Sequence, residues 1–350
     1  MAGWFTYEAE RKVALADGSG PAVFFTRAET SVRKPKRFSE SDVFEMALEG
    51  ILALSCILTP QSAWAHICGG TSRLRKVRHI SRRRPHFLFL ASRILSEKSP
   101  QELNDLYDQY RARLHQRRMS MLREHVRPGE PQFDFVGREH LDAAVRQGRG
   151  AILWAGQFSF QTVTGKRGLA EAGFDTYQVS AVQHGFSHTQ FGQTVLNRPL
   201  VAAENRYLKG RLVFKPGEAA QVLRRAMTCL RNGEIVIFTN NLLAGRHFVQ
   251  LPFGEGVWTA MPVTPLRLAL RHGIPLFHVA TLQTVPFRNY EIRISPNLAT
   301  GLKGETGYDA MAQLASKARD LTLEQVRAFP DQYIGWPTLM PNSLFSASGD

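Results

Sequence analysis

Two hydrophobic rhythms divide the chain. From Phe133 onward, short apolar runs alternate with amphipathic stretches. "AILWAG", "TYQVSAV", "EIVIFT", "IPLFHVATLQ" and "YEIRIS" are brief, rich in β-branched or aromatic residues and bounded by turn residues, so they predict strands. "REHLDAAVRQGRG", "TGKRGLAEAGF", "PGEAAQVLRRAMTCLRNG", "TPLRLALRHG" and "YDAMAQLASKARDLTLEQVRAF" predict helices. In the third of these, Ala219, Val222, Leu223, Ala226, Met227 and Leu230 fall on one helical face. Alternating strands and helices predict an α/β fold, a sheet with helices on its faces.

The earlier chain reads differently. Residues 41–127 follow a helical rhythm. "SPQELNDLYDQYRARLHQRRMSMLREHV" opens on a Ser-Pro start signal, and Leu103, Leu106, Tyr107, Tyr110 and Leu114 recur at helical spacing. Pro128, Gly129 and Pro131 break that pattern. Three segments follow: 1–40, a partly ordered extension with turns at Gly18, Gly20 and Pro21; 41–131, a helical basic region; and 132–350, the α/β core.

Residues 50–72, "GILALSCILTPQSAWAHICGGTS", hold no Lys, Arg, Asp or Glu. Pro60, Gln61, Ser62 and His66 interrupt them, which argues against a transmembrane helix. The segment starts too far from Met1 for a signal peptide. Two readings stay open: a helix pair dipping into a membrane surface, or a buried helical hairpin.

Charge sharpens the first reading. The chain of 350 residues has a net charge of +14. Fifteen Lys and Arg stand against five Asp and Glu between Arg73 and Arg127. Such a surface favours anionic partners: an anionic membrane, an acidic acyl carrier protein, or a nucleic acid such as tRNA. A solvated basic helix face is the plainer alternative. Cys56, Cys68 and Cys229 form no metal-ligand pattern and no even disulfide framework, which fits a reducing compartment.

Chemistry in such sheets collects at the carboxyl ends of the strands. Two ends stand out: Gly156 to Thr162, and Thr239-Asn240-Asn241. Neither holds a group that moves a proton near neutral pH. There is no Gly-x-Ser-x-Gly elbow, phosphate-binding glycine loop or paired-cysteine zinc motif, and nothing calls for a cofactor.

The succession "VGREHLDAAVRQGRGAILWAGQF", "VLRRAMTCLRNGEIVIF", "VQLPFGEGVWTAMPVTPLRLALRHGIPLFHV" and "FPDQYIGW" resembles the lysophospholipid acyltransferase superfamily, in particular the late acyltransferases of lipid A biosynthesis. The similarity runs from about Val43 to Trp336. It implies an acyltransferase-type sheet behind a membrane-seated helical region. It also implies acyl transfer from a thioester, on acyl carrier protein or coenzyme A, to a lipid hydroxyl. The family signature is a histidine, four residues, then a carboxylate; the histidine deprotonates the acceptor. Gln157 and Thr162 occupy those places here. The acidic turn that follows the later strand is replaced by Thr239, Asn240 and Asn241.

The resemblance therefore implies altered or abandoned chemistry. Gln157, Asn240 and Asn241 offer amide donors and acceptors to a polar ligand. Arg246 stands where the family places a basic group near a phosphate, its plainer reading being an exposed loop charge. His184 is a candidate replacement base from a neighbouring strand end. With His188 it makes only a poor metal pair. His247 is a weaker base candidate, and His278, inside an apolar strand, reads as a satisfied core histidine. Three functions follow as expectations: acyl transfer to an amine or hydroxyl without the dyad, non-catalytic binding of a lipid or carrier, and transfer from an aminoacyl-tRNA ester. The expected location is cytoplasmic, peripheral or inner-membrane-associated.

Overall fold

A computed structural model describes residues 5–29, 36–74, 76–126, 128–181, 185–187, 189–214, 218–240, 245–302 and 304–345. Its centre is a seven-stranded mixed sheet. The strands are β3 (Gln132–Val136), β4 (Ala151–Ala155), β5 (Thr176–Ala181), β6 (Gly210–Phe214), β7 (Ile235–Thr239), β10 (Leu276–Val285) and β11 (Asn289–Ile294). They lie in the order β3-β11-β10-β4-β7-β5-β6. β11 pairs antiparallel with β10 and parallel with β3, and the remaining pairs are parallel.

Side-chain alternation assigns the two faces of this sheet. Ile152 and Trp154 of β4 join Val236, Phe238 and Leu276 in one core. That core is closed by α8 (Ala219–Arg231), α9 (Thr264–His272) and α10 (Tyr308–Ala328). Ala151, Leu153 and Ala155 face the other way, with Ile235, Ile237, Phe277 and Val279. Against them pack α5 (Arg138–Arg146) and α6 (Val163–Glu171). Period-two alternation in strands buried on both sides yields this double core. The helices expected after Phe133 are all present, and α9 ends on Gly273 in the left-handed conformation (φ 62°), as a glycine stop should.

A second sheet was not legible in the sequence. β1 (Phe5–Ala14), β2 (Pro21–Glu29), β8 (His247–Gly254) and β9 (Val257–Pro262) pair in that order, all antiparallel. Residues 5–29, expected within a partly ordered extension, are therefore a hairpin built onto the core. β2 explains why: Ala22 and Phe24 enter the main core, while Phe25 packs with Phe248 and Ala260 on the opposite face. β1 is mostly exposed, and its apolar alternation, Phe5, Tyr7 and Ala9 against Thr6, Glu8 and Glu10, stops at Arg11 and Lys12.

The helical region comprises α1 (Glu40–Leu58), α2 (Gln61–Leu74), α3 (Lys76–Ile94) and α4 (Pro100–Val126). Capping boxes start α1 and α4. The Ser39 N–H donates to Asp42 Oδ2 at 2.8 Å, and the Ser99 N–H to Glu102 Oε2 at 2.8 Å, which satisfies otherwise orphan donors. α2 runs antiparallel to α4 through Cys68–Met119, Thr71–His115 and Ser72–Arg111 contacts. α1 and α2 thus form a helix pair seated on α4. Among the described residues no helix is long and apolar enough to cross a membrane.

α1 is inverted relative to an ordinary surface helix. Asp42 and Glu45 are buried beside Leu48, Leu52 and Cys56. Glu45 pairs with Arg118 of α4, and Asp42 accepts a hydrogen bond from Ser187 Oγ at 2.8 Å. Val43, Phe44, Met46, Ile51, Leu54, Ile57 and Leu58 are exposed.

Candidate functional site

β4 is the fully buried central strand, between β10 and β7. It ends at Gly156, whose N–H donates to Val279 O at 2.8 Å. A Cβ here would stand 3.1 Å from the Phe158 ring and 3.3 Å from His278 Nε2. Glycine relieves a tight fit, because the chain turns between a phenyl ring and an imidazole.

The turn after Gly156 is tied to the C-terminal segment. Gln157 O accepts from Ile334 N at 2.9 Å, and Ser159 N donates to Gln332 O at 2.8 Å. Phe158 is buried and its ring lies 5.6 Å from that of Tyr333. Gln332 in turn exchanges two hydrogen bonds with Gln283 of β10, both 2.8 Å. The motif "FPDQYIGW" therefore acts as a buckle that holds the β4 end in place.

Gln157 and Thr162 are both half-buried. Thr162 is the N-cap of α6 but makes no side-chain cap hydrogen bond. Of the first amides of α6, Gly165 N–H donates to Phe160 O at 2.8 Å, and Val163 and Thr164, which precede it, are buried close in sequence to the carboxyl end of β4. Such a helix start carries partial positive charge and unsatisfied N–H donors. Between the two, Gln161 is buried, and its Oε1 has no hydrogen-bond partner.

Asn240, at the end of β7, is bonded into the core. Its N–H donates to Ala155 O at 2.9 Å, and its Nδ2 donates to Thr322 Oγ1 of α10 at 3.2 Å. Its side chain is buried. The Thr322 hydroxyl donates to Ala318 O at 2.8 Å and stands 3.0 Å from His278 Nε2. Having spent its proton on Ala318, the hydroxyl accepts from both neighbours, which places the imidazole proton on Nε2. Burial holds the His278 pKa down at about 4. His278 is thus a neutral, satisfied core histidine, as its apolar strand suggested.

Arg246 is exposed at the entrance to β8, where its carbonyl accepts from Arg27 N at 2.8 Å. His247 is exposed and pairs with Glu10 at 3.1 Å, away from the strand ends. His184, His188 and Asn241 lie outside the described residues. Among the described residues, no hydrogen bond or ion pair joins Gln157, Thr162, Asn240 and Arg246 to one another, and no group of His, Cys, Asp or Glu suits a metal.

One charged cluster escaped sequence reading. Lys166, one turn beyond Thr162 on α6, is buried with its Nζ 2.7 Å from Glu204 Oε1. Glu204 lies in α7 (Arg198–Asn205) and also pairs with Arg211 of β6. Burial depresses the Lys166 pKa, while Glu204 supports its charge. No local pattern reveals this cluster, because its members are 38 and 7 residues apart. No known protein-family model matches the chain, and no curated protein sequence matches it.

Proposed function

We propose that this chain is a divergent acyltransferase. It moves an acyl group from a thioester, on acyl carrier protein or coenzyme A, to an amine or hydroxyl of a membrane-surface acceptor. The observation that carries the reading is the start of α6, which has no side-chain cap and follows the Gly156–Gln157 turn within a few residues, with the Val163 and Thr164 amides at its head. Attack on a thioester develops negative charge on its carbonyl oxygen. Backbone amides aimed at that oxygen stabilise the charge without reorganising, an effect that mutagenesis elsewhere places at about 3–4 kcal/mol per donor.

The absent base directs the choice of acceptor. Gln157 and Thr162 take no proton at neutral pH. A free amine is already nucleophilic and asks only to be positioned, so it suits this turn better than a hydroxyl. Holding amine and thioester together removes part of the barrier by proximity alone. The α/β architecture and the sequence resemblance support the same reading. The test is incubation of purified protein with acyl-carrier and coenzyme A thioesters and amine or hydroxyl lipids, with mass spectrometry of the products. Absence of an acylated acceptor across that set rejects the proposal.

A second reading rests on a specific observation. Gln157 and Thr162 at the end of β4 are neutral, and His278 beside the turn is buried and bonded to Thr322. This favours a non-catalytic relative that binds a lipid or an acylated carrier. A ligand that co-purifies and persists without turnover distinguishes it. Transfer from an aminoacyl-tRNA ester draws only on the +14 charge, and steeply salt-dependent RNA binding is its test.

A further inference from the structure

We infer that Arg117 and Lys166 hold a phosphate group at the junction of α4, α6 and α7. Arg117 lies on α4, which packs against both other helices. Its Nε is buried and has no hydrogen-bond partner. Among the described residues its guanidinium forms no hydrogen bond and no ion pair, and it lies over the face of Phe186, 5.1 Å from the ring centre. Arg118, the next residue, is answered by Glu45 and by Glu49 at 3.9 Å. Two adjacent arginines thus differ in kind: one has its carboxylates, the other does not. Neither Arg117 nor Lys166 belongs to the motifs that carry the sequence resemblance.

A desolvated guanidinium without a partner is costly, because it loses its water and gains no counterion. Glu204 is the carboxylate whose charge supports Arg117. It is already engaged by Lys166 Nζ at 2.7 Å and by Arg211. Three basic side chains, Arg117, Lys166 and Arg211, therefore share one carboxylate, an excess of two positive charges. Desolvation brings the Arg117 pKa down to about 10, the direction expected of a cation that lacks a counterion. Arg117 and Arg211 are half-buried, so the cluster is not sealed from solvent. An oxyanion arriving there supplies the charge that the cluster lacks.

The donor set selects phosphate. The guanidinium offers a planar fork that matches two phosphate oxygens, and the ammonium adds a point charge. An excess of two charges is met by a phosphate monoester more fully than by a carboxylate. Lys166 follows Thr162 by one turn of α6, about 6 Å along the helix axis. That separation suits an acceptor whose phosphate stands a few bonds from its amine, as in an aminoethyl phosphate. The phosphates of a coenzyme A or carrier thioester lie instead at the far end of a pantetheine arm. The bearer of the phosphate rests on the acyltransferase reading, but the site does not. Binding is measured without turnover, so either claim can fail alone.

The experiment is calorimetric titration and thermal unfolding of the full chain with inorganic phosphate, O-phosphoethanolamine and glycerophosphoethanolamine, against chloride at matched ionic strength. All three phosphates are expected to bind saturably and to raise Tm. Tighter binding of the diester assigns the phosphate to a lipid headgroup, and tighter binding of the monoester assigns it to a soluble acceptor. Arg117→Met is expected to weaken binding at least about tenfold. Without phosphate its Tm is expected to stay level or rise, because a cation without a partner is removed. An Arg117 that serves only to pack on Phe186 would instead lower Tm when lost, with no phosphate effect to lose. If Arg117→Met misfolds, Arg117→Lys replaces it and is expected to weaken binding about tenfold through loss of the planar fork. No saturable binding of any of the three phosphates overturns the inference. So does binding that the Arg117 and Lys166→Met substitutions leave unchanged.

Discussion

His278 Nε2 stands 3.0 Å from Thr322 Oγ1, and Asn240 Nδ2 reaches the same oxygen at 3.2 Å. One hydroxyl thus ties the end of β7 and the early part of β10 to α10. Thr322→Val keeps the shape but strands two buried donors. Each unsatisfied group costs about 1–3 kcal/mol, so a loss of roughly 2–5 kcal/mol is expected in denaturant unfolding. A loss below about 0.5 kcal/mol would mean the bond is not made.

The depressed pKa of His278 makes stability depend on pH. The unfolded chain protonates this imidazole below its ordinary 6.5, whereas the folded chain does so only near 4. Its contribution is therefore full above about pH 6.5 and declines as pH falls toward 4, by about 3 kcal/mol. Glu49 acts oppositely: burial raises its pKa to about 7, against the lowering effect of Arg118. Its contribution declines as pH rises from about 4.5 to 7. The measurement compares unfolding against pH for Glu49→Gln and Glu49→Gln/His278→Gln. The His278 substitution is expected to remove most of the decline between pH 6.5 and 4; an unchanged slope would contradict a neutral buried histidine.

Glu204 pairs with two cations, buried Lys166 and half-buried Arg211. Glu204→Gln should cost about 3–5 kcal/mol, because the Lys166 charge left behind stays buried. Adding Lys166→Met should recover part of that loss, giving a coupling of at least about 1 kcal/mol in a double-mutant cycle. Strict additivity would show that the pair is not coupled in solution.

Gly156→Ala tests the close packing at the turn. The added methyl meets the Phe158 ring and His278 Nε2, both already tight. A loss of about 1–3 kcal/mol is expected from overpacking, read as a lowered Tm, with reduced acyl transfer because the Gln157 turn is displaced. A neutral effect would show that the turn relaxes freely.

Much of the core was legible because buried strands announce themselves. Ala151–Ala155 is apolar throughout, Ile235–Thr239 is apolar up to its last residue, and Gly273 marks its helix end. The small sheet was hidden for the converse reason: β1 is mostly exposed and rich in charge, and Pro252 and Gly254 interrupt the apolar run of β8. At the candidate site, the position of Gln157 at the end of β4 could be read locally. The role of Asn240 could not, although the alternation Val236, Phe238, Asn240 places it on the α10 face. Its partner Thr322 is 82 residues away. The inversion of α1 was likewise invisible, because it depends on Arg118 of α4.

Acyl transfer by the purified protein is the most direct test of the central claim. Thioester donor and an amine-bearing lipid are supplied on anionic vesicles, and both the acylated lipid and the released thiol are quantified. The account predicts that both appear together and in equal amounts, and that Gln157→Ala lowers the rate at least about tenfold. It further predicts that Gln157→His/Thr162→Glu extends transfer to a lipid hydroxyl, since the pair restores a base and its supporting carboxylate. Folded protein that binds the vesicles but yields no acylated lipid from any thioester would contradict it.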